Sequence, residues 1–136
     1  MSQQPPLTIS NVKPEHYEPI RRMRLHPSNR AGFLDQGSFS EADQQLYMEA
    51  HAASYIVCLS EGEPVGYAGV VENDIRICTN PEFKKRGIGA KMLREIVRRF
   101  PDAKAKILRD NVGSQALFER CGVPFILIDR PSPSRP

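Results

Sequence analysis

Cysteine is scarce in this sequence. Cys58, Cys78 and Cys121 are an odd number with no CxxC spacing, which argues against a disulfide framework and against a zinc site. They read as small buried side chains. No apolar run approaches the length of a membrane span, and residues 1–10 lack a basic start followed by an apolar stretch. Neither a membrane segment nor a secretory leader is therefore expected, and the cytoplasm is the default location. Excess charge of one sign is small too: a formal net charge of +3 does not by itself imply a nucleic-acid partner, although it would welcome an anionic ligand. Internal repeats are absent. What is present, 136 residues of which 40% are hydrophobic and 26% charged, suits one globular domain. That domain is expected over residues 7–128, with the polar, proline-bearing ends at 1–6 and 129–136 disordered.

Periodicity places the elements. Residues 7–12 alternate apolar with polar and read as a first strand; Pro14 and Pro19 suit helix starts, and a short helix is expected over 18–24. A polar loop containing Pro27, Gly32 and Gly37 follows. Ser40 offers an N-cap with Asp43 three residues on, and Leu46, Ala50 and Ala53 form one apolar stripe of a second helix. The β-forming runs 55–59 and 65–71 flank a turn-rich spacer, and a second tight turn at 72–74 leads into 75–79, so three consecutive antiparallel strands are predicted. Over 89–100, Met92, Leu93, Ile96, Val97 and Phe100 share one face of an amphipathic helix. Residues 104–108 read as a strand, 114–121 as a helix closed by Gly122, and 123–128 as the last strand.

The chemistry concentrates where a strand, a glycine turn and a helix follow one another across residues 75–90. Gly87 and Gly89 let a backbone approach a ligand, and the free N–H groups of a helix start favour phosphate. Lys84, Lys85 and Arg86 add positive charge at the rim, which fits a pyrophosphate better than a carboxylate. On this segment alone, a glycine helix start beside a solvated basic run explains the residues equally well. The segment lacks the GK[ST] ending of a P-loop and the third glycine of a dinucleotide fingerprint.

With Pro81 after a strand and Lys84-Lys85-Arg86-Gly87-Ile88-Gly89-Ala90 opening a helix, the segment resembles the acetyl-CoA signature of the GNAT N-acetyltransferase superfamily, Q/R-x-x-G-x-G/A. Residues 111–123, an Asn, an apolar helix, then Gly122 and Val123, resemble that superfamily's second signature. The resemblance spans about 7–128. It implies an α/β (α+β mixed sheet) fold, a mostly antiparallel central sheet flanked by about four helices. The implied activity is transfer of the acetyl group of acetyl-CoA to a primary amine of a small molecule, without a covalent enzyme intermediate. On that resemblance Ile77, Cys78 and Thr79 form a splayed strand end that pairs with pantetheine. The amides from Arg86 to Ala90, Gly87, Ile88 and Gly89 included, hold pyrophosphate; Asn111 bonds the pantetheine arm, and Ser114 and Phe118 lie near the sulfur. Two departures stand out: Lys84 replaces the usual Gln or Arg, and Phe118 sits where many members carry a tyrosine that protonates the departing thiolate. Ser114 or a water must then supply that proton, or the thiolate leaves unprotonated.

The attacking amine needs a base, and Glu72 and Asp74 are the candidates, Asp74 sharing strand parity with Arg76. A pair of solvated turn acids is as good a reading of them. Residues 21–33 and the helix ending near His51 resemble, loosely, enzymes acting on nucleotide-linked amino sugars. Arg24, Asn29 and Arg30 would then meet a nucleotide diphosphate, and His26 or His51 the sugar. A basic helix end with surface histidines competes with that reading. The expected state is a monomer or homodimer, with neither nucleic acid nor membrane as partner and no metal. Two competing functions stay open: a noncatalytic acetyl-CoA sensor or interaction module on the same fold, which Phe118 favours, and acetylation of a protein or peptide amine.

Overall fold

The computed structural model describes residues 5–30, 40–83 and 86–129, Arg30 by its backbone only. The tails at 1–4 and 130–136, Gly32 and Gly37 of the polar loop, and Lys84 and Lys85 lie outside the described residues. Two tight turns organise the centre of the chain. Glu61 and Gly62, with φ of 52° and 79°, join strand β2 (Tyr55–Ser60) to β3 (Glu63–Val71). Glu72 and Asn73, at 53° and 65°, join β3 to β4 (Asp74–Thr79). Two successive left-handed residues match the right-handed twist of flanking strands, which is why each pair closes a hairpin. Strand β1 (Leu7–Asn11) pairs antiparallel with β2, giving a four-stranded antiparallel sheet in the order β1-β2-β3-β4.

Helices cover both faces of this sheet. Helix α4 (Ile88–Arg99) buries Ile88, Met92, Leu93 and Ile96 against Ile56, Val65, Ala68 and Ile75. That is the expected stripe, and each such side chain contributes about 1.5–3 kcal/mol by leaving water. On the other face, α1 (Tyr17–Leu25) and α3 (Glu41–His51) bring Ile20, Met23 and Met48 against Tyr55, Tyr67 and Cys78. Ser40 caps α3 through a reciprocal pair of bonds with Asp43, as its spacing foretold.

The stripe expected on α3 is corrected. Leu46 is 68% exposed and Ala50 and Ala53 face solvent, whereas Gln44 and Met48 are buried. Two rows of i, i+4 spacing run along this helix, and the apolar count picked the outer one. The inner row is buried because Met48 fills the gap beside Ile20 and Met23, Gln44 Nε2 donates to Tyr17 O at 3.4 Å, and the Tyr47 and Tyr55 hydroxyls pair at 2.8 Å. Amphipathic side chains thus cover the sheet while satisfying their polar ends. A short helix α2 (Pro27–Arg30) replaces the start of the expected loop, with Pro27 at a first position where its missing N–H costs nothing.

Beyond α4 the chain forms β5 (Lys106–Leu108), α5 (Val112–Arg120) and β6 (Ile126–Ile128), with β5 and β6 parallel. Both strands are shorter than expected. Lys104 instead makes an isolated bridge to Asp74, and Pro124, which has no N–H, precedes β6. Gly122 closes α5 at φ 70°, as foretold.

Candidate active site

Strands β4 and β5 begin side by side and then part. Lys104 N donates to Asn73 O at 2.9 Å and Ile75 N to Lys104 O at 2.8 Å, and no further backbone bond joins the two strands among the described residues. A strand alternates the direction of its main-chain groups, so if the Ile75 N–H points toward β5, those of Ile77 and Thr79 do too. Arg76 and Cys78 point theirs back to β3, opposite Gly69 and Tyr67. The Thr79 carbonyl is taken by Asn29 Nδ2 at 2.9 Å. Ile77 is left with its N–H and C=O facing the notch. A partly exposed strand end with unpaired groups is a template for an extended, amide-bearing ligand.

The notch opens on the start of α4. Gly87 is its N-cap at φ 76°, a conformation that costs other residues about 1–2 kcal/mol. Lys91 N makes the first bond of the helix, to Gly87 O at 3.0 Å, so the N–H groups of Ile88, Gly89 and Ala90 precede the helical ladder. Free amides at a helix start, with the helix dipole behind them, favour an anion. Gly89 has a different reason to be glycine than ligand access: a Cβ there would meet Leu117 Cδ2 of α5 at 3.0 Å. The Arg86 side chain turns away from this site, since its Nη2 donates to Pro5 O at 3.1 Å and Ser60 Oγ at 3.0 Å and its guanidinium stacks 5.6 Å from the Phe83 ring centroid. Only its backbone is left to face an anion.

A cleft of about 1220 Å³ joins these parts. Asp74, Arg76, Ile77, Cys78 and Thr79 line it from β4, Gly87 to Ala90 from α4, Asn111, Ser114 and Phe118 from α5 and its cap, and Arg24, Tyr55 and Tyr67 from the α1 side. Asn111 Oδ1 accepts from Ser114 N at 3.2 Å, the N-cap bond that orients both residues. Burial raises the carboxyl pKa of Asp74, opposed by the nearby Lys106 and Arg76, and its Oδ1 is buried without a hydrogen-bond partner. A carboxylate so placed binds a proton more readily than an exposed one, as a general base requires. Burial pushes the Cys78 thiol up to about 12, with Tyr67 and Arg24 opposing. At neutral pH it is a protonated core thiol and not a nucleophile.

A sequence profile described as the acetyltransferase (GNAT) family matches residues 20–123, from α1 to just past α5. The chain belongs to that family. The GNAT fold recurs in solved structures. A ribosomal-protein-alanine N-acetyltransferase from Brucella melitensis superposes with a TM-score of 0.75 at 17% identity, over 85% of this chain and 83% of that one. A phosphinothricin acetyltransferase from Sinorhizobium meliloti, solved with AcCoA, gives 0.69 at 21%, over 85% and 74%. Spermidine N-acetyltransferase from Vibrio cholerae, in complex with CoA and spermine, gives 0.73 at 13%, over 85% and 79%. No curated protein matches by sequence.

This GNAT domain brings only part of the sequence-derived residue set together. Asp74 and Ser114 share the cleft, while Glu72 is exposed in its turn and does not line it. Phe118 is buried to 2% exposure, edge-to-face with Phe125 at 6.1 Å, and forms cleft wall and core at once. Asn29 lines the cleft but spends both amide hydrogens on Met23 O, at 2.7 Å, and Thr79 O, so it ties α2 to the end of β4. His26 Nδ1 accepts from Ser28 N at 3.1 Å, and His51 packs on Tyr47 with centroids 4.5 Å apart; neither lines the cleft. The Arg30 side chain lies outside the described residues. Sequence reasoning missed Tyr55, Tyr67 and Lys106 as cleft residues and gave Arg76 no role. Strand parity with Asp74 was the signal available for Arg76; the tyrosines are brought in only by tertiary packing.

Proposed function

We propose that this GNAT domain transfers the acetyl group of acetyl-CoA to a primary amine of a small molecule, acting as a monomer or homodimer. The observation that carries this reading is the notch itself: the unpaired main chain of Ile77 opening directly onto the capless amides of α4. Pantetheine is an extended chain with two amides and pyrophosphate is a dianion, so the two features match successive parts of one molecule. Ile88, Gly89 and Ala90 would hold the pyrophosphate, and Ile77 and Asn111 the pantetheine arm. The thioester supplies an activated acyl group. Asp74 takes a proton from the incoming ammonium through water, the neutral amine attacks the carbonyl carbon, and the carbon–sulfur bond breaks with the electron pair leaving on sulfur. The nitrogen gives up its second proton as the amide forms, and Ser114 or water relays that proton to the sulfur. The protonated Cys78 supports direct attack over an acetyl-enzyme route.

The relatives solved with AcCoA or CoA support the donor, and they lend no support to a nucleotide-linked amino sugar as acceptor. A second reading, an acetyl-CoA sensor without turnover, is favoured by Phe118, which cannot donate a proton. Calorimetric titration with acetyl-CoA, alongside free-thiol release over a panel of amines, tests both. Binding with amine-dependent thiol release is expected; binding without release for any amine would leave the sensor.

A further inference from the structure

The turn that leads into α4 is fastened from behind. Main-chain bonds secure the chain on either side of it, Phe83 N to Asn80 O and Lys91 N to Gly87 O, each at 3.0 Å. Between them Gly87 is exposed, and a Cβ built on it would meet nothing within 4 Å, so packing does not fix the turn at its centre. The fastening comes one residue earlier. Arg86 Nη2 donates to Ser60 Oγ at 3.0 Å, at the end of β2, and to Pro5 O at 3.1 Å, ahead of β1, while the guanidinium lies over the Phe83 ring. These contacts tie the turn to residues 26 and 81 positions away. Ser60 is 5% exposed and, like Pro5, does not line the cleft.

Stability alone is a poor reason for this arginine. Among the described residues no carboxylate pairs with it, and its Nε is buried without a hydrogen-bond partner. A half-buried cation bonded to neutral oxygens carries a desolvation cost that an apolar side chain of similar size avoids. What arginine supplies is reach and direction, a planar group with several donors that bonds two segments at once. We propose that Arg86 is a positioning residue for the donor: anchored on Ser60 and Pro5, its side chain sets the angle at which the Gly87 turn presents the amides of Ile88, Gly89 and Ala90 to the pyrophosphate. Amides already aimed before binding need less ordering when the anion arrives. The proposal rests on the donor reading above and deepens it, because it makes phosphate affinity depend on a β2 hydroxyl outside the cleft.

The test is calorimetric titration of acetyl-CoA into the parent, Ser60→Ala, Arg86→Gln and the double variant, with thermal melts to establish that each is folded. Ser60→Ala is expected to weaken binding about tenfold and Arg86→Gln about 30-fold. The double variant should bind no more weakly than Arg86→Gln alone, since Ser60 acts only through Arg86. With an accepted amine, the variants should raise KM for acetyl-CoA and leave kcat and the KM for the amine unchanged. With S-acetylpantetheine, which keeps the thioester and lacks the phosphates, parent and variants should turn over alike. Ser60→Ala binding acetyl-CoA as tightly as the parent, additive losses in the double variant, or equal losses with S-acetylpantetheine and acetyl-CoA would overturn the positioning role and leave the donor reading standing. A folded parent that does not bind acetyl-CoA would overturn both.

Discussion

The two walls of the cleft are made of different material. The wall proposed for the donor is main chain: the N–H and C=O of Ile77, the free amides of Ile88 to Ala90, and the left-handed Gly87 that lets the turn form. The wall proposed for the acceptor is side chain: Asp74, Arg76, Arg24, Tyr55 and Tyr67, drawn from β4, α1, β2 and β3. Backbone geometry follows from element order and glycine placement, so it withstands drift in most side chains. A side-chain wall can be rewritten residue by residue while the fold stays put. One family can therefore keep a donor and change acceptors, and likeness to a solved neighbour at 13–21% identity carries the fold without the acceptor.

The contrast is sharpest at Ile77. Ile77→Pro removes the N–H that faces the notch and breaks no bond to β3, because that N–H points away from the ladder. Acetyl-CoA affinity and turnover should fall at least about 100-fold, whereas Ile77→Ala, which keeps the N–H, should lose under about tenfold by calorimetry and thiol release. Equal losses in the two variants would mean that the donor wall is read through side chains after all.

Next in size is Asp74→Asn on the acceptor wall, with an expected drop in kcat of about 100-fold and little change in acetyl-CoA affinity. Its stability should move the other way. The folded-state pKa of Asp74 is raised, so the folded protein holds that proton more tightly than the unfolded chain. The resulting stability is fully present below the unfolded pKa and is lost as pH rises through the folded value. Asp74→Asn should therefore melt above the parent at pH 7, with the gain vanishing below about pH 4. In the parent, kcat/KM should rise with pH through a pKa above the ordinary carboxylate range.

Smaller effects belong to α5. Ser114→Ala should cost about ten- to a hundredfold in kcat if its hydroxyl protonates the thiolate, and nothing if water does. Phe118→Tyr should change the rate least of all, since the ring is packed edge-on against Phe125. A parent inactive with every amine and activated only by Phe118→Tyr would instead mark a binding protein that had lost its acid.

The legibility of the sequence followed the same division. The strand–glycine–helix order of residues 75–90 was readable because spacing alone dictates a backbone, and the Ser40–Asp43 capping box was readable for the same reason; Asn111 was read as a pantetheine contact, and its bond as the N-cap of α5 emerged only in the fold. The inward row of α3 was not, because Gln44, Tyr47 and Met48 are buried through hydrogen bonds and shape as well as apolarity. Asn29 was read as a ligand residue by its neighbourhood, and its bond across 50 positions to Thr79 O has no sequence trace. Tyr55 and Tyr67 looked like ordinary strand residues until packing set them against Cys78 and Arg24.

The most direct test is a mass balance. With isotopically labelled acetyl-CoA and a turned-over amine, one free CoA should appear for each N-acetyl product, and intact-mass spectra taken during turnover should show the unmodified chain. Labelled acetyl on Cys78, or CoA released without amide product, would contradict direct transfer through the β4–β5 notch.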